Sequence, residues 1–227
     1  GSTETITDSR GITTFSYDEL ERLISRVAPD GTTISYTYYP EGNIETITTP
    51  SGTVKYTYDK LNRLETVTDP DGGITTYSYD ELGNLVQTEF PNQTTETRNY
   101  DNLNRLTEFI VTDVNEAVIF SQNLIYDKVG NIIIVEENSG LHFEYEYDQL
   151  NRLTKETIIN PGADTRTIEY SYDDVGNRVS HNDSSFGVTT YSYDDNDRLE
   201  TESIGNSVVT YNYDENGISL TQFDDAD

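Results

Sequence analysis

The chain of 227 residues has no cysteine. Disulfide frameworks, thiolate metal sites and cysteine nucleophiles are thereby excluded. Positive charge is scarce, with 14 lysines and arginines against 42 aspartates and glutamates and a formal net charge of −28. The lysines are Lys55, Lys60, Lys128 and Lys155. With no basic patch to meet phosphates, nucleic acid is not an expected partner. Anionic membrane surfaces are disfavoured for the same reason. No apolar run approaches the length of a membrane span, so no membrane insertion is expected. Histidine is limited to His142 and His181, neither in a ligand-spaced motif, and both read as structural. Asp69-Pro70-Asp71-Gly72-Gly73 lacks the downstream glutamate of a calcium loop, and no metal or cofactor is expected.

Apolar residues are also few, 33% even with tyrosine counted. That composition drifts toward disorder, where buried area cannot offset chain entropy. Eighteen tyrosines, seven phenylalanines and a strict internal period argue for a folded chain instead. The acidic surface favours solubility and mutual repulsion between copies. Gly1-Ser2 reads as a remnant of expression cloning, which is compatible with a removed leader.

The period is the dominant signal. Aligning on the tyrosine before a turn gives ten registers: Tyr17, Tyr38, Tyr58, Tyr79, Tyr100, Tyr126, Tyr147, Tyr172, Tyr193 and Tyr213. The spacings run 21, 20, 21, 21, 26, 21, 25, 21 and 20. Aspartate follows in nine of them, as Asp18, Asp59, Asp80, Asp101, Asp127, Asp148, Asp173, Asp194 and Asp214. The exception is Tyr38, followed by Tyr39-Pro40. The repeat is recognisable over residues 12–217, so the chain reads as a single array, residues 1–227, without a linker. A second turn falls near Pro29-Asp30-Gly31, Pro50-Ser51-Gly52, Pro70-Asp71-Gly72 and Pro91-Asn92, with Pro161-Gly162 a shifted version.

Between turns lie segments such as Thr53-Val54-Lys55-Tyr56-Thr57-Tyr58, in which polar and apolar residues alternate. That is a strand pattern, and no stretch sustains a helical period. Two strands per unit predict roughly twenty antiparallel strands joined as hairpins. Five residues past each tyrosine, arginine and asparagine alternate: Arg22, Asn43, Arg63, Asn84, Arg105, Asn131, Arg152, Asn177, Arg198. Glycine precedes each asparagine and supplies the positive φ of a tight turn. Each arginine can instead reach back to the aspartate four positions earlier. The true period is therefore about 42 residues. Both long spacings follow an arginine unit, so extra residues near Thr112–Phe120 and Ile159–Thr165 are expected to project from one edge.

The strings "YDELGNL", "YDKLNRL", "YDNLNRL", "YDKVGNI" and "YDQLNRL" resemble the tyrosine–aspartate (YD) repeats of the rearrangement-hotspot (Rhs) family, from Tyr17 to about Tyr213. Relatives include bacterial polymorphic toxins, insecticidal toxin-complex shells and teneurins. The resemblance implies an all-β fold of tandem antiparallel hairpins, a twisted, spiralling ribbon forming part of a YD/Rhs β-shell that in toxins encloses cargo. Ten repeats are fewer than such shells take. The C-terminal "YDENGISLTQFDDAD" lacks the "DPxGL" segment with which they commonly close, and Ile218 stands where the alternation places asparagine.

A tyrosine beside an aspartate could serve proton transfer. Ten copies argue for a structural joint, because an active site needs one constellation, and no catalytic residue is expected. Tyrosine also recurs two positions earlier (Tyr36, Tyr56, Tyr77, Tyr145, Tyr170, Tyr191, Tyr211), on the same strand face. Neighbouring units are expected to line these rings up as cross-strand aromatic contacts, with hydroxyls left wet. The aspartate is expected to cap its turn. The functional expectation is a non-catalytic segment of a bacterial Rhs-type shell, secreted or at the cell surface. It would wrap or display a cargo or toxin domain, its partners being that domain or the rest of a larger repeat protein. The alternatives are a carbohydrate- or protein-binding module using the tyrosine face, and self-association through edge strands.

Overall fold

Wherever β-branched residues and tyrosines alternate with polar ones, the chain is extended, and each turn signal reverses it. The computed structural model describes residues 1–217 and, for the backbone alone, 219–224. Ile218, where the alternation breaks, lies outside the described residues. By its internal contacts the chain divides into two compact units, residues 1–119 and 120–227.

The first unit holds β1 (Thr3–Asp8), β2 (Gly11–Tyr17), β3 (Leu23–Val27), β4 (Thr33–Tyr38), β5 (Ile44–Thr49), β6 (Gly52–Tyr58), β7 (Leu64–Thr68), β8 (Ile74–Tyr79), β9 (Leu85–Glu89), β10 (Thr95–Tyr100) and β11 (Leu106–Thr112). Each pairs antiparallel with its neighbours in sequence, a plain up-and-down meander. The boundary falls in β12 (Val118–Tyr126). From there the second unit repeats the meander through β13 (Ile132–Glu137), β14 (His142–Tyr147), β15 (Leu153–Ile159), β16 (Arg166–Tyr172), β17 (Arg178–Asp183), β18 (Gly187–Tyr193), β19 (Leu199–Ile204), β20 (Ser207–Tyr213) and β21 (Ser219–Asp224). The described residues are all-β, as the alternation predicts.

Two corrections follow from the register. Equivalent tyrosines of successive units are two strands apart, about 9.6 Å, so they are not direct cross-strand partners. The residue facing Tyr36 is Ile47, and the one facing Tyr56 is Val67. The intervening strand thus separates the rings that the sequence was expected to line up. The extra residues of the two long units, for their part, chiefly lengthen strands. β12 runs nine residues, and β15 and β16 run seven each.

A β-bulge marks every joint. Tyr58 pairs with Leu64 while Thr57 pairs with Thr66, and the same shift recurs at Tyr17, Tyr38, Tyr79, Tyr100, Tyr126, Tyr147, Tyr172, Tyr193 and Tyr213. The inserted residue bends the outgoing strand. It also explains an odd spacing in the sequence, where apolar residues such as Ile44 and Ile47 or Leu64 and Val67 lie three apart and still share a face.

Little is deeply buried. Among the described residues the buried hydrophobics are Val135 and Ile168, and the buried polar residues are Thr88, Asp183 and Thr189. A layered domain gains stability by covering one apolar face with another. Here the contacts run along the sheet, from each turn to the next. At the turn edge opposite the tyrosines, a glycine of one unit packs against a proline of the next. A Cβ on Gly52 would come within 2.5 Å of the Pro70 Cβ, and one on Gly140 within 2.6 Å of the Pro161 Cγ.

Candidate functional site: the tyrosine–aspartate joint

The ten repeat tyrosines close the even-numbered strands β2 to β20, and their aspartates open the turns that follow. Asp59 shows the arginine form of the joint. Its Oδ1 accepts from the backbone amides of Leu61 and Arg63, both at 2.9 Å, and its Oδ2 from Arg63 Nε at 2.7 Å. The backbone closes with Asp59 N–H donating to the Arg63 carbonyl (2.8 Å) and Asn62 N–H to the Asp59 carbonyl (2.9 Å). Asp18–Arg22, Asp101–Arg105, Asp148–Arg152 and Asp194–Arg198 are built alike.

Asp80 shows the asparagine form with the same plan. Oδ1 accepts from Leu82 and Asn84 amides, and Asn84 Nδ2 donates to Oδ2 at 2.9 Å. Asn131 and Asn177 do the same to Asp127 and Asp173. The two chemistries therefore share one backbone. The residue before the arginine or asparagine has positive φ in both, 91° at Gly83 and 66° at Asn62. The sequence suggested that only the glycine turns need this. Glu21, Asn104, Asn151 and Asp197 take the left-handed region as well, at φ 58–59°. A short polar side chain tolerates it best.

What separates the two forms is how each meets the next unit. Arg63 extends over the ring of Tyr79, its guanidinium carbon 4.5 Å from the centroid, and Nη1 donates to the Asp80 carbonyl at 3.2 Å. Arg22 meets Tyr38 and the Tyr39 carbonyl this way, and Arg152 meets Tyr172 and the Asp173 carbonyl. Arg198 lies 4.8 Å from the Tyr213 centroid. Asparagine is shorter and makes a different bond. Asn84 donates to Asn104 Oδ1 at 3.1 Å, Asn131 to Asn151 Oδ1 and Asn177 to Asp197 Oδ1, each at 3.0 Å. Hence the alternation: a unit that follows asparagine carries an acceptor at the positive-φ position, and a unit that follows arginine carries glycine there.

The tyrosine hydroxyl is not left to water as expected. Tyr79 Oη donates to the Leu64 carbonyl at 2.9 Å, and Tyr38, Tyr58, Tyr100, Tyr147, Tyr172, Tyr193 and Tyr213 each donate to the equivalent carbonyl of the preceding unit. The β7–β8 ladder ends at Thr66–Thr76, so Leu64 lies beyond its last pair. The phenol satisfies a carbonyl that lies beyond the end of that ladder. Tyr79→Phe is expected to cost about 1 kcal/mol by leaving that acceptor unmet, read as a lower midpoint in urea with an unchanged slope.

Electrostatics follow the bonding. Backbone hydrogen bonding from Arg63, with its side chain adding to it, holds the Asp59 carboxyl below its ordinary 3.8. Asp80 is lowered chiefly by the Asn84 side chain, and Asp101 by that of Arg105. Burial raises the Tyr79 phenol. A carboxyl depressed on folding contributes stability that is complete above its unfolded pKa and lost as pH falls through its folded one. The array is therefore expected to hold its stability from neutral pH down to about 4 and to lose it steeply below, which melting curves between pH 6 and pH 2 would show.

Two features depart from the regular joint. At Tyr38 the next residue is Tyr39, which keeps the backbone closure (Tyr39 N–H to the Asn43 carbonyl, 2.9 Å) without a carboxylate. Its hydroxyl donates to the Tyr56 carbonyl at 3.1 Å. In the second unit, Asp183 is 1% exposed and takes Arg166 Nε on both oxygens at 3.0 Å, with Nη2 also on Oδ2. Arg166 in turn lies 4.9 Å from the centroid of Phe186. Seventeen residues separate the pair, and the only hint in the sequence was the irregular length of its unit. His142 lies against Glu136 and Glu144, and His181 stacks on Tyr170.

Comparison with known proteins agrees with this geometry. The teneurin YD-shell family profile matches residues 84–226, and the Rhs repeat profile matches residues 3–33, 38–74 and 58–95. No curated protein sequence matches. Among solved structures, the Photorhabdus luminescens Tc holotoxin pore aligns over 98% of this chain with TM-score 0.64 at 14% identity. The complex TcdB2-TccC3-Cdc42 aligns over 95% with TM-score 0.63, also at 14% identity. TcdB2-TccC3 without its hypervariable C-terminal region aligns over 98% with TM-score 0.59 at 17% identity. The chain spans 14% of the length of each of these. With more than half of its residues under the shell profile and the joint repeated from end to end, the chain belongs to the teneurin YD-shell family of Rhs-type repeat proteins.

Proposed function

We propose that this chain is a non-catalytic length of shell wall, a single repeat array from a larger secreted or cell-surface protein that encloses a cargo domain. The observation that supports it most is where the joint directs its groups. Carboxylate, guanidinium, amide and phenol all bond within the turn or to the adjoining unit. Chemistry arranged this way transmits position from unit to unit, as in other quasi-one-dimensional repeats. The family and the shell proteins of similar fold point the same way. In the described pairings β1 bonds β2 alone, and it is exposed along its length, so its outer edge is where we place the junction with further wall.

The test is recovery of the natural protein with an antibody raised against this chain. A wall segment is expected to come down as part of a much longer polypeptide, with a portion resistant to protease until denaturant opens the shell. Recovery of a free 25.7 kDa chain with no protected portion would refute the reading.

A further inference from the structure

Leucine stands at the tip of turn after turn and buries little there. In the first unit the even-numbered strands all end at one edge of the sheet. The turns after Tyr58, Tyr79 and Tyr100 therefore lie in a row along it, about 9.6 Å apart. Their tips carry Leu61, Leu82 and Leu103, exposed to 71%, 72% and 71%. Turn tips ordinarily take polar residues. Each leucine is also held in place, since Asp59, Asp80 and Asp101 accept its backbone amide at 2.8–2.9 Å. On one side the row is closed by the turn after Tyr38, whose tip is Glu41. Beside the leucines stand Lys60, Glu81 and Asn102, all exposed. Among the described residues no ion pair holds the lysine or the glutamate. At these three tips the two charges cancel, in a chain whose formal charge is −28.

We propose that this row is where a second copy of the chain docks, edge to edge, with the two rows antiparallel. Charge complementarity sets the register. A two-fold axis midway between the turns of Leu61 and Leu82 sets Leu61 of each copy against Leu82 of the other. The same axis sets Lys60 of each copy beside Glu81 of the other, and Glu41 opposite the Asn102 amide at the end of the row. Parallel rows would instead oppose Lys60 with Lys60 and Glu81 with Glu81, which is unfavourable. The pinned turns leave little to order on docking. Elsewhere the acidic surface keeps copies apart, and the neutral row is where they can approach. Six leucines and their flanks make a small contact, of the transient class. The dimer does not rest on the wall reading, because a free chain and a longer protein both present this edge.

The test is sedimentation velocity of the whole chain from micromolar to millimolar concentration at physiological salt. A reversible monomer–dimer equilibrium is expected, with monomer prevailing at low micromolar concentration. Leu82→Glu is expected to weaken it at least tenfold with the melting temperature unchanged, and Lys60→Glu severalfold. Lys60→Glu combined with Glu81→Lys should restore the parent's affinity, since the exchanged charges meet in the same register. Ile74→Thr, on the sheet's face and 52% exposed, should leave association unchanged. A monomer throughout, undiminished association by Leu82→Glu, or a double exchange no better than Lys60→Glu alone would each overturn the proposal.

Discussion

Arg166→Met is expected to lower the melting temperature of the second unit by on the order of 10 °C at neutral pH, more than any other charge deletion in the chain. The reason lies in what it strands. Asp183 is 1% exposed and takes three guanidinium contacts, and beyond them its Oδ1 accepts from the Ser185 amide at 2.9 Å. Without Arg166 a carboxylate stays buried with the backbone amides of Ser185 and Phe186 alone, and desolvation is no longer offset. The Arg166 side chain holds the folded carboxyl at about 2 against an ordinary 3.8. Because this pKa is depressed on folding, the pair's contribution is complete above about 4 and disappears as pH falls through about 2. The variant should therefore differ most from the parent at pH 7 and approach it near pH 2. Arg166→Met combined with Asp183→Leu should recover much of the loss, since a neutral pair strands no charge. An Arg166→Met melting curve that coincides with the parent's at pH 7 would show that the pair is dispensable.

Gly52→Ala is expected to destabilise the first unit by about 2–4 kcal/mol, large for one methyl group. Two causes add. Gly52 has φ +128°, a conformation that side chains resist, and the new Cβ would stand 2.5 Å from the Pro70 Cβ and 3.1 Å from its Cγ. Proline cannot yield by rotating a flexible end, so the backbone of the next unit must move. Gly31→Ala separates the causes, because Gly31 has φ +85° but nothing within 4 Å of the added atom. It should cost about 1 kcal/mol, from strain alone. Denaturant unfolding of both variants checks the difference, and equal losses would show that the glycine–proline contact carries no energy.

The strands were legible because β-branched residues and tyrosines alternate between turn signals, and the joint because aspartate and arginine recur four apart. The pairing of Asp59 with Arg63 could be read directly from that spacing. Bonds between units were not legible, since the link from Arg63 to Tyr79 depends on register. The register in turn hangs on a bulge whose trace, Leu64 and Val67 three apart, looks like noise until the strands are paired. The tyrosine hydroxyl was misjudged for the same reason, because the carbonyl it meets lies beyond the end of the next ladder, which only the register reveals. The Tyr39 turn showed in the sequence as a lapse in a motif. The edge-on contact of its ring with Tyr58 became visible only with both turns in place.

The alternation of arginine and asparagine joints constrains how such a gene can grow or shrink. Arg63 meets the ring of Tyr79 and the Asp80 carbonyl beside Gly83 and asks nothing of that position, whereas Asn84 needs the amide oxygen of Asn104. Excising one unit would set like beside like. Two arginine joints would meet with an unused acceptor, or two asparagine joints with a donor facing glycine. Excising or duplicating a consecutive pair restores every contact across the seam. Recombination in this array therefore has a parity: crossovers displaced by an even number of units yield arrays that close their ladder, and odd ones yield a fault.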